Sequence, residues 1–341
     1  MIEYLPWSNK ELNKSLDLYK KGVFSILDLE VGGACNLSCI YCDSPDRAKA
    51  SKIMIEDVTR LLSTKKISWV FLCGLGEPFA KKNRNQFIKI LEECKLWDVR
   101  CSVFTNTLEI DDVILEYLDN GILNLLVKCD SLERIKLNKI YGSAKGEKCL
   151  DQIRRLEQHV NVKNGHTNIA LSIVPTSLNY KEIPNIIEFA IDHNFYPLIG
   201  DLEDSGMSNQ RFSTLKLNND LLWSLKQNVE EILNECYQLP ICPSVISGIH
   251  INHERNVVVD NATGLSCHWF WLKAPEIKTL CKVDSNTTYD EILSKILKYR
   301  SEMLISTEAL SQKSVALPIG GCGGDIKDLL SRYVAIQKSF N

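Results

Sequence analysis

The sequence lacks an excess of either charge, and it lacks a long apolar run. Its 40 basic and 43 acidic side chains give a formal net charge of −3, so no overall positive field attracts nucleic acid or an anionic membrane. No apolar stretch approaches the roughly 20 residues that span a bilayer, and the first residues do not read as a secretory signal. We therefore expect a cytoplasmic protein without a membrane partner, acting on a small molecule or a peptide.

Low-complexity segments and internal repeats are also absent, while cysteine is abundant. The chain has 341 residues, 45% of them hydrophobic, which is enough for a large core and one or two domains. Thirteen cysteines are many for a cytoplasmic chain. Since disulfides are rare in a reducing compartment, their number indicates metal ligation in addition to core packing.

Strand-like and helical patterns alternate from about residue 24 to about residue 204. Strand-like runs cover residues 24–31, 69–74, 100–105, 123–129, 168–174 and 196–202. Between them, apolar residues recur at i, i+3, i+4 and i+7, as in amphipathic helices. Because parallel strands need helical crossovers, the pattern predicts an α/β fold with six βα units, arranged as an open or partly closed barrel.

The alternation of strand-like and helical patterns ends after residue 204. A polar loop and a long helix are followed by an expected hairpin of Ile249–Ile251 with Val257–Val259, and later by a glycine-rich turn at 320–324. We predict four parts: a helical extension at 1–22, the barrel at 23–205, a small α+β module at 206–325 and a C-terminal helix at 326–341.

Three cysteines stand close together after the first strand. Cys35, Cys39 and Cys42 form a Cys-x3-Cys-x2-Cys pattern on one loop. Three thiolates at such spacing can hold three corners of a [4Fe-4S] cluster. No fourth cysteine lies nearby, which leaves one iron open to a chelating cofactor. The alternatives are plain core thiols and zinc, but structural zinc prefers four closed ligands.

These residues resemble the signature of the radical S-adenosylmethionine (radical SAM) superfamily. The resemblance includes the aromatic Tyr41 before the third cysteine, where the family places a ring beside adenine. It implies a partial (β/α)6 TIM-like barrel with the cluster at its mouth. It also implies S-adenosylmethionine as cofactor and a flavodoxin- or ferredoxin-type reductant.

Further residues at strand ends match the family's cofactor-binding positions. Gly74-Leu75-Gly76-Glu77-Pro78 resembles the Gly-Gly-Glu-Pro motif with Leu75 in place of the second glycine. Polar residues at the ends of the next strands are the other expected cofactor contacts: Asn106, Lys128, Asp130 and Ser172. Asn179 is expected to cap the following helix.

Two acidic pairs lie on strand faces. Asp28 and Glu30 share one face of the first strand, and Asp201 and Glu203 share one face of the sixth. Either pair could bind substrate or relay a proton, and structural carboxylates explain them equally well. We take Glu203 as a candidate catalytic residue.

A second group of cysteines occupies the C-terminal part. Cys236, Cys242, Cys267 and Cys322 bracket the expected hairpin and the glycine-rich turn. The arrangement resembles the SPASM/Twitch extension, and its single-cluster Twitch form implies an auxiliary [4Fe-4S] cluster. Because six residues intervene before Cys267, the match is incomplete. Cys281 is the substitute ligand if Cys236 belongs to its helix core.

The remaining cysteines divide into packing residues and candidate hydrogen donors. Cys73, Cys94, Cys101 and Cys149 lie on strands or apolar helix stripes and are expected to pack in the core. Cys129 and Cys281 are candidate catalytic thiols that could donate a hydrogen atom, as an epimerase requires.

The resemblance implies reductive cleavage of S-adenosylmethionine to a 5′-deoxyadenosyl radical that abstracts a substrate hydrogen. Oxidation, cross-linking and epimerisation of a sugar, a cyclitol or a peptide remain open. One alternative is a peptide maturase that works with a separate leader-binding partner. Another is a non-enzymatic iron–sulfur electron carrier. No basic stripe favours a nucleic-acid substrate.

Overall fold

The computed structural model describes residues 9–30, 32–42, 50–73, 76–160, 167–200, 202, 211–233, 247–261, 264–266 and 277–302. The strands are β1 (Ile26–Glu30), β2 (Trp69–Cys73), β3 (Arg100–Thr105), β4 (Leu123–Lys128), β5 (Ile169–Ile173), β6 (Tyr196–Ile199), β7 (Gly248–Ile251), β8 (Asn256–Asp260) and β9 (Ile277–Lys282). Among these residues, no helix combines the length and the hydrophobicity that crossing a bilayer requires.

The helices alternate with the first six strands, as the sequence predicts. They are α1 (Asn9–Lys20), α2 (Ile55–Ser63), α3 (Arg84–Leu96), α4 (Asp112–Asp119), α5 (Arg134–Tyr141), α6 (Gly146–Leu156), α7 (Ile183–Asp192), α8 (Phe212–Leu215), α9 (Asn219–Leu233) and α10 (Tyr289–Glu302), with a short 3-10 turn at Glu157–His159. In α4, Asp111 caps the first turn by accepting a hydrogen bond from the backbone N–H of Ile114.

The described strands form one sheet in the order β6-β5-β4-β3-β2-β1-β7-β8-β9. Strands β1 to β6 pair in parallel with their sequence neighbours. The ends of the sheet, β6 and β9, do not pair with each other, so the sheet stays open. The α/β fold class and its succession of six βα units are confirmed.

Side chains alternate between two faces of this sheet. One face is apolar and buried, and Cys101 of β3 interacts there with Cys94 of α3, which shows that this face packs on the helices. The opposite face carries polar residues in register across the strands: Asp28, Ser102, Asn124, Lys128, Ser172 and His250. Polar side chains therefore collect on the inner face, where a partial barrel holds its ligands.

The predicted hairpin is confirmed, but it is not set apart from the main sheet. Strand β7 pairs in parallel with β1, with His250 opposite Asp28, and β8 turns back antiparallel to β7. Hence the C-terminal part of the chain extends the sheet beyond β1. The carboxyl end of β7 consequently lies at the same sheet edge as the cysteine loop.

Candidate active site

The three N-terminal cysteines follow β1 directly, at the carboxyl end of the parallel strands. Cys35 is exposed, Cys42 is half-buried and Cys39 is buried, and all three carry reduced thiols. Burial raises the pKa of the Cys39 thiol to about 11, so this thiol keeps its proton at neutral pH until a metal displaces it.

The cysteine loop is fastened to the end of α5 by backbone hydrogen bonds. The N–H of Ser38 donates to the carbonyl of Tyr141 at 3.0 Å, and the N–H of Ile40 donates to that of Ile140 at 2.9 Å. Gly142 follows with a φ of 56°, and a Cβ at this position would lie 2.3 Å from the carbonyl oxygen of Ser38. Only glycine fits so close an approach in this conformation.

Tyr41 connects the cysteine loop to the end of β4. Its hydroxyl donates to the buried carboxylate of Asp130, whose other oxygen accepts from the N–H of Val174 at 2.9 Å. The ammonium of Lys128 lies 4.2 Å from the centre of the Tyr41 ring, a distance at which cation–π attraction operates. Burial raises the pKa of Tyr41 well above its usual range, and Asp130 adds to this, so the phenol remains a donor.

Lys128 keeps its positive charge beside these negative groups. Burial alone would lower the pKa of Lys128, but the charge that Cys39 carries when it is ionised and the charge of the Asp130 carboxylate outweigh burial and raise it. Burial also raises the pKa of Asp130, against the opposing effect of Lys128. Ser172, in register with Lys128 on β5, is partly exposed on the same face. A cation and two polar groups thus stand next to the cysteine loop.

Glu77 is buried and binds the next strand. Its carboxylate accepts hydrogen bonds from the Thr105 hydroxyl at 2.8 Å, the Asn106 N–H at 2.7 Å and the Phe79 N–H at 3.2 Å. Burial nevertheless raises the pKa of Glu77 to about 7. Its own N–H donates to the carbonyl of Ala34 at 2.8 Å. Glu77 therefore ties β3 to the start of the cysteine loop.

Gly76 and Asn83 pack closely against the same stretch of backbone. A Cβ on Gly76 would lie 2.2 Å from the carbonyl oxygen of Gly32 and 2.6 Å from that of Ala34. The Asn83 amide reaches both carbonyls, at 2.9 and 3.0 Å, and that of Glu77 at 2.8 Å. Pro78 follows in a buried turn.

Asn106 reaches the cysteine loop from the end of β3. Its amide nitrogen donates to the side-chain oxygen of Asn36 at 2.6 Å and lies 3.9 Å from the sulfur of Cys35. An amide donor beside a sulfur suits a metal-bound thiolate, which carries negative charge.

The donor set fits an iron–sulfur cluster. Three thiols on one loop match what a cubane takes from a protein. In the part of the chain that the structure describes, no three His, Cys, Asp or Glu side chains are close enough to hold a single metal ion. Each cysteine of a cubane binds a different iron, so its ligands do not converge on one point. Structural zinc instead takes four protein ligands.

Glu30 joins β1 to the β7–β8 hairpin. Its carboxylate accepts hydrogen bonds from the backbone N–H of His253 at 3.0 Å and from Nδ1 of the same residue at 2.9 Å, and it lies 3.5 Å from Nε2 of His250. Burial would raise the pKa of Glu30, but the bonds from His250 and His253 outweigh it and hold the pKa well below its usual range. Glu30 is thus an anion that interacts with both imidazole rings. Its strand neighbour Asp28 is also buried.

The two candidate hydrogen-donor thiols belong to different parts of the sheet. Cys129 is fully buried, and strand alternation places it on the side opposite Lys128. Burial, with Asp130 and Glu182, raises its pKa. Cys281 sits on β9 and interacts with Lys295 of α10.

Cys94, Cys101 and Cys149 are buried, as expected for packing residues. The expectation that Asn179 caps a helix is wrong. Its amide instead donates to the carbonyls of Asp130 and Val174 at 2.8 and 3.0 Å, while Glu182 precedes α7. The side-chain oxygen of Asn179 accepts hydrogen bonds from the backbone N–H and the hydroxyl of Thr176, at 2.7 and 2.9 Å, and so does not cap the helix start. Asn179 therefore braces the loops after β4 and β5.

Several predicted site residues lie outside the described residues, and their roles stay predictions. These are Gly74, Asp201, Glu203, Cys236, Cys242, Cys267 and Cys322, together with the side chain of Cys73.

Asn83, Tyr141 and His253 contact the site region and were not predicted. In the sequence, Asn83 and Tyr141 look like ordinary residues near helix ends. Only their long-range contacts in the structure show that they belong to the site region. His253 had one available signal, its position in the tip of the predicted hairpin.

Residues 29–190 match the model of the Radical SAM superfamily. A probable GTP 3′,8-cyclase of Sulfurisphaera tokodaii is 26% identical over 174 residues, which cover 49% of this chain and 53% of that protein. A GTP 3′,8-cyclase of Vibrio parahaemolyticus is 25% identical over 220 residues, covering 60% and 64%. The match thus spans between about half and two-thirds of the length of these curated relatives.

Solved structures share the fold over more of the chain. Native anSMEcpe with bound AdoMet and the Cp18Cys peptide has a TM-score of 0.57 at 14% identity, covering 93% of this chain and 100% of that one. Streptococcus suis SuiB bound to the precursor peptide SuiA has a TM-score of 0.54 at 14% identity, covering 82% and 68%. At these identities the likeness concerns the fold. The family match and the cysteine loop together identify residues 29–190 as a radical SAM domain.

Proposed function

We propose that this chain is an enzyme that holds a [4Fe-4S] cluster through Cys35, Cys39 and Cys42 and cleaves S-adenosylmethionine reductively. When bound, the cluster and the cofactor supply a 5′-deoxyadenosyl radical that takes a hydrogen atom from the substrate. The observation that carries the proposal is the position of three cysteine thiols at the carboxyl end of a parallel sheet, within a radical SAM domain. A flavodoxin- or ferredoxin-type protein would donate the electron.

The polar residues around the loop would bind and orient the cofactor. The Tyr41 ring is the surface for adenine, and the Lys128 ammonium suits the cofactor's carboxylate. The Gly76–Pro78 turn borders the methionine end. Asn106, Asp130 and Ser172 offer hydrogen bonds to the ribose. Because the Glu77 carboxylate already accepts three hydrogen bonds, we assign it the task of holding the loop.

The fate of the substrate radical depends on the C-terminal cysteines. We propose an auxiliary [4Fe-4S] cluster on Cys236, Cys242, Cys267 and Cys322, with Cys281 as the substitute for Cys236. A second cluster suits an oxidation or a cross-link, because it can accept an electron. Epimerisation instead needs a hydrogen donor near the substrate, for which Cys129 and Cys281 are the candidates.

Anaerobic turnover tests the proposal. The reconstituted chain is reduced in the presence of S-adenosylmethionine, and methionine and 5′-deoxyadenosine are measured by mass spectrometry. We expect both products from the wild type and from Cys94→Ala, a matched control with a buried packing cysteine, and neither from Cys39→Ala. A fully loaded wild type that forms no 5′-deoxyadenosine would be an electron carrier. Zinc in place of iron would refute the cluster itself.

For the substrate class, we propose a peptide. The fold is similar over nearly the whole chain to anSMEcpe in complex with a peptide, and to SuiB in complex with its precursor peptide. The curated relatives are GTP 3′,8-cyclases. A nucleotide is therefore the small-molecule alternative to a peptide substrate. Turnover with deuterated peptide digest or deuterated GTP separates the two, since deuterium in 5′-deoxyadenosine reports which molecule lost the hydrogen. Label from the peptides supports the maturase, and label from GTP contradicts it.

A further inference from the structure

The β7–β8 hairpin contacts the chain on both sides of the three cysteines. Before them, Glu30 accepts two hydrogen bonds from His253, at 3.0 and 2.9 Å. After them, the N–H of Lys52 donates to the carbonyl of His253 at 2.6 Å. One hairpin residue therefore joins the two ends of the stretch that carries Cys35, Cys39 and Cys42.

These contacts are buried and reinforced. The side chains of Glu30 and His253 are only 11% and 12% exposed. Ser51 donates to the carbonyl of Glu30 at 3.3 Å, and the Gln86 amide donates to the carbonyl of Ile53 at 2.8 Å. Buried charge-assisted hydrogen bonds define geometry more strictly than exposed ones. The two ends of the cysteine stretch are consequently held side by side.

The hydrogen on the His253 ring is assigned by its partner. A carboxylate only accepts hydrogen bonds, so Nδ1 must carry the hydrogen that points to Glu30. An asparagine amide can donate from nearly the same position as Nδ1. The side-chain contact can therefore be removed with alanine and restored with asparagine, while the backbone N–H of residue 253 can still donate to Glu30.

We infer that His253 is a positioning residue for the N-terminal cluster, because it closes the base of the cysteine stretch and so arranges the three thiols before metal binds. The inference rests on the proposed function and adds a role for the C-terminal part of the chain. Joining the two ends of a loop reduces its conformational entropy before binding. Ordering the three thiols around a cluster then costs less entropy. Residues that orient metal ligands typically change metal affinity by about 10- to 100-fold when they are removed.

Three variants test the inference. His253→Ala removes the side-chain bond, and His253→Asn restores its donor. The control is Tyr289→Phe, which removes a buried hydroxyl that bonds the backbone N–H and carbonyl of Phe24, each at 2.7 Å, just before the opposite end of β1. The readout is the iron chelator concentration that strips half of the cluster from anaerobically reconstituted protein, together with the thermal midpoint.

We expect His253→Ala to lose half of its cluster at about a tenfold lower chelator concentration than the wild type, which is the usual effect of removing such a residue. His253→Asn should stay within about twofold of the wild type, and Tyr289→Phe should lower the thermal midpoint without loosening the cluster. An unchanged cluster in His253→Ala overturns the inference, as does equal loosening in Tyr289→Phe or a failed rescue by asparagine. Wild type that takes up no cluster refutes the proposed function as well.

Discussion

The phenol of Tyr41, the residue before the third cysteine, donates a hydrogen bond to the buried carboxylate of Asp130 at the end of β4. This contact connects the cysteine loop to the inner face of the sheet across 89 positions of sequence. The same phenyl ring lies under the Lys128 ammonium. One aromatic side chain thus couples the cysteine loop to both charged groups of the strand end.

Removing that phenol should destabilise the protein. Tyr41→Phe keeps the ring for Lys128 but takes a donor from a buried carboxylate, a change that costs about 1–3 kcal/mol. A double-mutant cycle with Asp130→Asn, followed by anaerobic urea unfolding, should give a coupling energy of similar size. Additive effects of the two substitutions would show that the bond contributes nothing.

Lys128 should influence how easily the cluster is reduced. Its ammonium places a positive charge beside the cysteine loop, and reduction adds a negative charge there. We expect Lys128→Gln to lower the midpoint potential on the order of 60 mV, a tenfold change in a one-electron equilibrium. Lys128→Arg should preserve it. Potentiometric titration followed by electron paramagnetic resonance measures both, and equal potentials in all three proteins would contradict the prediction.

Gly76 should tolerate no side chain. The Cβ of Gly76→Ala would lie 2.2 Å from the carbonyl oxygen of Gly32, so the backbone must shift, at about 1–3 kcal/mol or more. In the control Gly200→Ala, the nearest atom is the Ile173 carbonyl oxygen at 3.7 Å, an ordinary contact. Urea unfolding should show a clear loss of stability only in the first variant. Equal stabilities would mean that the turn is not closely packed.

Glu77 should make stability depend on pH. Its pKa is raised from the ordinary 4.5 to about 7 by burial, so the folded chain holds this proton more tightly than the unfolded chain does. The free energy of unfolding should therefore decrease as pH rises from about 4.5 to about 7, on the order of 3 kcal/mol from this group.

Urea unfolding of the cluster-free chain at both ends of that pH range checks the Glu77 prediction. Glu77→Gln should be less stable at low pH, because one accepted hydrogen bond is lost, but its stability should vary less with pH. Glu92→Gln, at an exposed position on α3, should follow the wild type. Identical pH dependence in Glu77→Gln and the wild type would remove the buried carboxyl as the cause.

The features that sequence could predict are local. Apolar runs predict strands β1 to β6, and a 3.6-residue period of apolar side chains predicts the helices between them. The cysteine loop is contained within eight residues, from Cys35 to Cys42. The inward direction of Lys128 and Asp130 also follows from strand alternation, and both meet Tyr41 in the structure.

The features that sequence could not predict depend on distant contacts. Glu30 and His253 are 223 positions apart, and no periodicity states that β7 pairs with β1. The same holds for Asn83, whose amide reaches Gly32 across 51 positions. Asn179 shows the reverse error, since a typical capping residue is used instead to satisfy loop carbonyls. In each case, tertiary packing decides the partner.

One iron of the proposed N-terminal cluster is expected to have no protein ligand and to bind S-adenosylmethionine. Electron–nuclear double resonance on the reduced, anaerobically loaded protein tests it directly, using cofactor labelled with nitrogen-15 at the amino group. We predict a nitrogen coupling to the cluster that is absent without cofactor and absent in Cys39→Ala. A fully loaded cluster whose spectrum is unchanged by the labelled cofactor would contradict the account.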